Sequence, residues 1–379
     1  MKKFLVGTTA LVGMTIGGAA SASDVELGLG GYMRVGMAFS DYVEQAGSDR
    51  NPNAGEDPGT FGEADNSFHI IRDGEIHFKG SGTLDNGISI DARVELEAYT
   101  HDSDQIDENW VRVRSSFGSI LIGANDDAAY NTGYVGFTQL APNFAVMDGT
   151  LTFVPTTVNA QFSLVGGSDA QGIHYYTPNI AGFSAGISYH PQLSTDAGSD
   201  AQATGGNNDA DIIAIGAQYA NSFGDFDFAI GGGYVTLDGD AISEAVTAPA
   251  GGGALVTTET RTDLELDSWG VGVEVGFAGV GIQGRYEELD SEEDGVDSAD
   301  VQAYQIGATY GTGPWTFGAG YGHWEDDETD AEDSTIKGGV TYSLGKGVTL
   351  GGVIEWGEAD DGTEEEDGVA GAILLGVSF

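Results

Sequence analysis

From Val25 onward, apolar side chains occupy every second position in segment after segment. Val25, Leu27, Leu29, Met33, Val35 and Met37 share one parity, with Glu26, Tyr32 and Arg34 on the other. Ile88, Ile90, Ala92, Val94 and Leu96 alternate with Ser89, Asp91, Arg93, Glu95 and Glu97. Val111 and Val113 alternate with Trp110, Arg112 and Arg114, and Val280 and Ile282 with Gln283 and Arg285. A period of two marks a half-buried strand. The polar parity carries charge along whole strands, so that face must meet water. No apolar run after the N-terminus approaches the roughly 20 residues of a spanning helix. The chain therefore reads as all-β, with one dry and one wet face to its sheet.

The N-terminus says where such a sheet is delivered. Lys2 and Lys3 precede a short apolar stretch, Phe4 to Ile16, and Ala20-Ser21-Ala22 forms an A-x-A cleavage site. Residues 1–22 thus read as a secretory signal peptide and residues 23–379 as one mature unit. Cleavage removes two of the 13 basic residues and none of the 60 acidic ones, leaving 11 against 60, a net charge near −49. Such an acid excess repels nucleic-acid phosphates and favours cations as partners. The absence of Cys excludes disulfides, zinc–thiolate sites and thiol nucleophiles. An exported all-β chain is either soluble or a membrane barrel.

The spacing of the breaks decides between these. Short turns fall at Leu84-Asp85-Asn86-Gly87, Phe117-Gly118, Ala181-Gly182, Phe223-Gly224-Asp225, Ala278-Gly279, Gly311-Thr312-Gly313-Pro314 and Leu344-Gly345-Lys346-Gly347. Between them lie longer polar connections at 41–66, 101–107, 125–170, 191–208, 239–262, 289–300, 326–333 and 359–367. Seven short turns and eight long loops make sixteen strands, with both termini on the short-turn side. That is the layout of an outer-membrane barrel. Val369, Gly371, Ile373, Leu375, Val377 and the terminal Phe379 share one parity, as a last strand closing on the first requires. Closure leaves no backbone edge unpaired in lipid.

With these features in place, the chain resembles the general bacterial porins of alphaproteobacterial type. The resemblance rests on the signal peptide, on Arg72-Asp73-Gly74-Glu75-Ile76-His77-Phe78 followed by Leu84-Asp85-Asn86-Gly87, on Glu108-Asn109-Trp110-Val111 before Phe117-Gly118, and on Phe379. It implies a homotrimer of sixteen-stranded barrels in the outer membrane of a Gram-negative bacterium, in contact with lipid and lipopolysaccharide. It implies passive diffusion of small hydrophilic solutes without a cofactor, and an inward-folded third loop that narrows each pore. By the turn count that loop is Asn125–Ala170. The enterobacterial Pro-Glu-Phe-Gly-Gly type motif is absent from it, which leaves the loop's path open.

The composition of Asn125–Ala170 fits a loop that avoids bulk water. It has no Lys or Arg, only four acids (Asp126, Asp127, Asp148, Asp169), and many apolar residues, among them Val135, Phe137, Leu140, Phe144 and Phe153. Strand parity points Arg34, Lys79, Arg93, Arg112 and Arg114 inward from the first four strands. The resemblance puts the loop opposite that wall, offering Asp126, Asp127 and Asp148. Facing rows of opposite charge would set a transverse field at the constriction. Glu75, Glu95 and Glu97 share the inward parity and could pair with the arginines in place.

Three acidic runs, Glu287–Asp300, Glu325–Asp333 and Glu358–Asp367, hold 8, 7 and 7 acids and no base. They are expected to be solvated surface, or sites where divalent cations bridge to lipopolysaccharide phosphates. Asp290, Glu292, Asp294 and Gly295 imitate the start of a calcium loop, whose closing Glu would fall at Val301. The alternative function is a secreted acidic calcium-binding structural or adhesive β-protein, which would need tandem Gly/Asp-rich repeats; no fixed period is found. Gly182-Phe183-Ser184-Ala185-Gly186 matches a nucleophile elbow, but lies between a turn and a strand instead of a strand and a helix. The six His residues show no metal-ligand spacing. The reading is a non-enzymatic, weakly cation-selective channel.

Overall fold

The computed structural model describes residues 25–40, 68–98, 106–136, 170–192, 209–247, 256–360, 362 and 365–379. The signal peptide and most of the loop 125–170, Asp148 included, lie outside the described residues.

Sixteen strands form one closed antiparallel barrel in which each strand pairs with its sequence neighbours. They are β1 (Glu26–Ser40), β2 (Phe68–Thr83), β3 (Ser89–Glu97), β4 (Ile106–Ser115), β5 (Gly118–Ala124), β6 (Gln171–Tyr176), β7 (Phe183–Gln192) and β8 (Asp209–Phe223). The second half comprises β9 (Phe226–Thr247), β10 (Val256–Phe277), β11 (Val280–Glu293), β12 (Val296–Thr312), β13 (Trp315–Asp326), β14 (Ala331–Gly345), β15 (Val348–Asp360) and β16 (Glu365–Ser378). A single described helix, α1 (Ala128–Gly133), follows β5. β16 closes against β1 from Tyr32↔Ser378 to Ser40↔Ala370. The terminal residue completes the seam: Gly31 and Phe379 exchange both backbone hydrogen bonds, each 3.0 Å.

Parity sorts the side chains. Leu27, Leu29, Met33, Val35 and Met37 on β1 are exposed outward, and Ala38 of the opposite parity is buried. The outer face carries two aromatic belts. Tyr189, Tyr234, Trp269 and Tyr304 form one; Phe183, Phe223, Phe277, Tyr310 and Trp315 lie toward the short turns and form the other. Aliphatic residues such as Ile187, Ile215, Ile230, Val273 and Ile306 fill the band between, as lipid contact requires. The first belt marks the outer boundary, because its hydroxyls donate to carboxylates: Tyr189 to Asp211, Tyr234 to Asp267, and in the same row Tyr286 to Glu288 at 3.2 Å.

All seven short turns fall where the sequence places them. Four of the expected long loops are shortened, because their flanking strands run further than alternation suggests. Across 239–262, β9 and β10 stay paired out to Thr247 and Val256. Across 289–300, β11 and β12 meet in a two-residue turn at Asp294 (φ 52°) and Gly295 (φ 73°), left-handed conformations that suit this hairpin type. Across 326–333 the turn is confined to 327–330. Across 359–367, β15 and β16 pair out to Asp360↔Glu365. Above the membrane both faces of a strand are wet, so the period-two signal vanishes while backbone pairing continues. The calcium-loop reading of Asp290, Glu292 and Asp294 is corrected with it. Asp290 sits mid-ladder between Asp267 and Asp300, and Asp294 Oδ1 accepts from the Asp263 amide at 3.0 Å. Ser184 likewise pairs with Gln218 in a β-hairpin, without the helix a nucleophile elbow needs.

Val273 lies midway between Trp269 and Phe277 on the lipid face. Val273→Arg should cost about 2–4 kcal/mol in unfolding from lipid vesicles, against under about 1 kcal/mol for the lumen-facing Gln283→Arg.

Candidate pore constriction

The expected basic wall is present as a surface but not as a row of uncompensated cations. Arg34 Nη1 lies 3.1 Å from Asp73 Oδ2, with the guanidinium 4.4 Å from the Tyr32 ring centroid. Arg93 pairs with Glu95 and approaches His77 Nδ1 at 3.2 Å. Asp91 takes two partners, Arg114 Nε at 2.7 Å and Arg112 Nε at 3.5 Å, and Arg112 also stacks 5.0 Å from the Trp110 ring. Lys79 stands opposite Arg93 in the β2–β3 register. His77 Nε2 lies 2.6 Å from Glu75 and 3.1 Å from Glu95. Since Arg93 donates to Nδ1, the ring proton sits at Nε2 between the carboxylates. Glu97 and Asp107 gather beside Glu75, and Glu108 accepts from Trp110 Nε1 at 3.2 Å.

The five bases thus share β1–β4 with Asp73, Glu75, Asp91, Glu95, Glu97, Asp107 and Glu108. Register places opposite charges side by side, as the shared inward parity of Glu75, Glu95 and Glu97 allowed, and acids outnumber the bases on this wall. A one-residue shift on any strand would have sent these charges into lipid instead.

The described start of the loop, residues 125–136, leaves β5 and lies against the wall of β7 to β11. In a ring of sixteen strands that is the side away from β1–β2. Asn125 Nδ2 donates to Glu108, the Ala128 amide donates to Ser188 Oγ at 3.0 Å, and α1 packs on β7, β8 and β9. The contact is backbone on backbone. A Cβ at Gly216 would sit 2.5 Å from Ala128 O, and one at Gly272 only 1.6 Å from Val135 O. The loop returns at Ala170, whose carbonyl accepts from His190 Nδ1 at 3.1 Å. His190 is fully buried and meets the equally buried His174 edge-on at 4.9 Å.

The loop acids divide. Asp127 is 2 % exposed, and its carboxylate caps α1 by accepting from the Tyr130 amide at 2.9 Å. It is spent on helix initiation, so its expected place in the constriction is corrected. Asp126 stays half-buried, with its carbonyl bound to Asn131 Nδ2 at 2.6 Å.

Comparison with known proteins places this arrangement. A sequence model of Gram-negative porins matches residues 7–362. The chain belongs to the Gram-negative porin family. No curated protein sequence matches it. The anion-selective porin from Comamonas acidovorans has the same fold, at TM-score 0.63 and 15% identity over 94% of this chain and 100% of that one. OmpT of Vibrio cholerae in its trimer form is similar at TM-score 0.61 and 13% identity, again over 94% and 100%. A mutant Rh. blastica porin is similar at TM-score 0.53 and 15% identity, over 93% and 100%. The chain is an outer-membrane protein with a sixteen-stranded channel fold.

This porin also uses groups that parity alone did not single out. Arg285 on β11 is buried, pairs with Glu287, and donates from Nη1 to Gly133 O and Val135 O, both at 3.2 Å. Its guanidinium stacks 4.6 Å from the Tyr134 ring. Burial holds the Tyr134 phenol well above its ordinary pKa, so the ring stays a neutral platform. The available signal was that Arg285 is a lone inward base just before the acidic run Glu287–Asp300.

Asp91→Asn would leave Arg112 and Arg114 without their shared carboxylate. The variant should shift the reversal potential in a KCl gradient toward anions, more at 0.1 M than at 1 M salt.

Proposed function

We propose that this porin is a homotrimeric, weakly cation-selective pore through which small hydrophilic solutes diffuse passively down their gradients. Asn125–Ala170 narrows the pore, and Arg34, Lys79, Arg93, Arg112, Arg114 and Asp126 line its charged passage. The observation that carries the reading is the acid excess on the inner wall, with further carboxylates around the outside of the rim. On the wall, acidic side chains, Glu26 among them, outnumber the five bases. On the outer face of the rim, above the aromatic belt, Asp267, Asp290 and Asp300 are cross-strand neighbours on three adjacent strands. A cleft of about 320 Å³ beside them is lined by Glu265, Glu292, Asp297 and Glu328 as well. Like charges directly opposed across strands destabilise a sheet, and concentrating cations there relieves them. Trimerisation follows the family and the trimer form of the Vibrio relative.

The same carboxylates support a role for divalent cations, calcium included, in bridging this rim to lipopolysaccharide phosphates. A soluble adhesive β-protein is disfavoured by the apolar, aromatic-belted exterior.

Planar-bilayer recording tests the function. Large ohmic conductance with a cation-directed reversal potential that shrinks as salt rises is expected, because the Debye length is only about 10 Å at 0.1 M. No ohmic conductance, or an anion-directed potential at low salt, would refute it. Removing part of 137–169 should raise conductance and admit larger sugars in liposome swelling; an unchanged size limit would refute the loop's role.

A further inference from the structure

We infer that Arg285 is the positioning residue that holds the constriction loop against the wall and thereby sets the width of the pore. The inference rests on the reading of Asn125–Ala170 as the constriction. Its side chain is 1 % exposed, and the hydrogen bonds it makes go to the loop or to its counter-charge. Nη1 reaches Gly133 O, the last carbonyl of α1, which also accepts from the Val135 amide at 2.9 Å, and Val135 O just beyond the helix. The guanidinium face lies against Tyr134, and Nε pairs with Glu287 two residues on. From the adjacent strand, Glu274 Oε1 accepts from the Gly136 amide at 3.2 Å. A cation on β11 and an anion on β10 therefore grip four consecutive loop residues by backbone and ring.

The grip works as a unit. A buried charge is tolerated only while paired and hydrogen-bonded. Arg285 needs Glu287 for charge and the loop carbonyls for Nη1, so the loop supplies part of the solvation that the buried pair has lost. The glycines permit the approach. With Val135 O where a Cβ of Gly272 would be, the loop reaches Arg285 only because the wall offers no side chain there.

The test compares the wild-type trimer with Arg285→Met/Glu287→Gln, which removes the cation without stranding its carboxylate, and with Gly272→Ala, which lifts Val135 and leaves the pair intact. Loss of two charge-assisted hydrogen bonds should raise the population of a displaced, higher-conductance state on the order of 100-fold in single-channel dwell times. Both variants should admit larger sugars in liposome swelling. Arg285→Lys, without the planar fork, should fall between. A merely structural role would lower the trimer's melting temperature and leave open-channel conductance and size limit unchanged; that result in either folded variant overturns the inference. Wild-type protein without conductance would instead overturn the channel reading on which it rests.

Discussion

In hydrocarbon no water is available to an unpaired amide, and this shapes the whole molecule. The sixteen strands meet the requirement only as a ring, so the seam between β1 and β16 matters as much as any pairing inside. Gly31 and Phe379 extend that seam to the last residue of the chain. Once the ring is closed, a side chain has two destinations, lipid or lumen, and parity assigns them. The functional surface is the set of inward positions, and a charge reaches the pore because its neighbour is aliphatic.

The ring also creates the problem that the loop solves. A connection folded into the lumen brings its own amides and carbonyls to a wall whose backbone is already paired. They must find side-chain partners or water. Here the loop start finds Glu108, Ser188, Arg285 and Glu274, from four different strands. Gly216, Gly231 and Gly272 remove the side chains that would hold it off. The low charge of the segment follows from this: a base or an extra acid between two backbones in contact would be buried without a partner. Of its acids, Asp127 serves local structure first, at the start of α1.

What the sequence made legible divides along the same line. Alternation and glycine-bearing turns are local, and they disclosed the barrel, its strand number, its inward parity and the identity of the third loop. Registry is not local. That Asp91 would hold both Arg112 and Arg114, or that Glu95 would reach Arg93 and His77, depends on how far neighbouring strands slide past one another. Asp127 looked like a pore acid because its composition is that of one; only the helix beginning at Ala128 makes it a cap. The acidic runs misled in the other direction. Their polarity reads as loop, yet Asp290 and Asp300 face each other across a regular ladder, because two-sided solvation abolishes alternation without abolishing strands. Arg285 is the hardest case, since its partners are backbone carbonyls about 150 positions away in the chain, and carbonyls have no sequence signature.

These pairings bear on selectivity more than the fold does. The Comamonas relative is an anion-selective porin on the same barrel, so the sign of selectivity must come from inward side chains. An ion pair presents a dipole to the lumen, and its field falls off faster with distance than that of a lone charge. With Arg34, Arg93, Arg112 and Arg114 each bound to a carboxylate on their own wall, their reach across the pore is short. What extends farther is the uncompensated acidic remainder on the wall, with the carboxylate ladder on the outer face of the rim beyond it. Both are negative, and both are screened within about 10 Å at 0.1 M salt. A solute passing close to β1–β4 would therefore meet alternating charge at hydrogen-bonding range, suited to polar and zwitterionic groups, while the bulk of the ion current would respond to the acidic remainder.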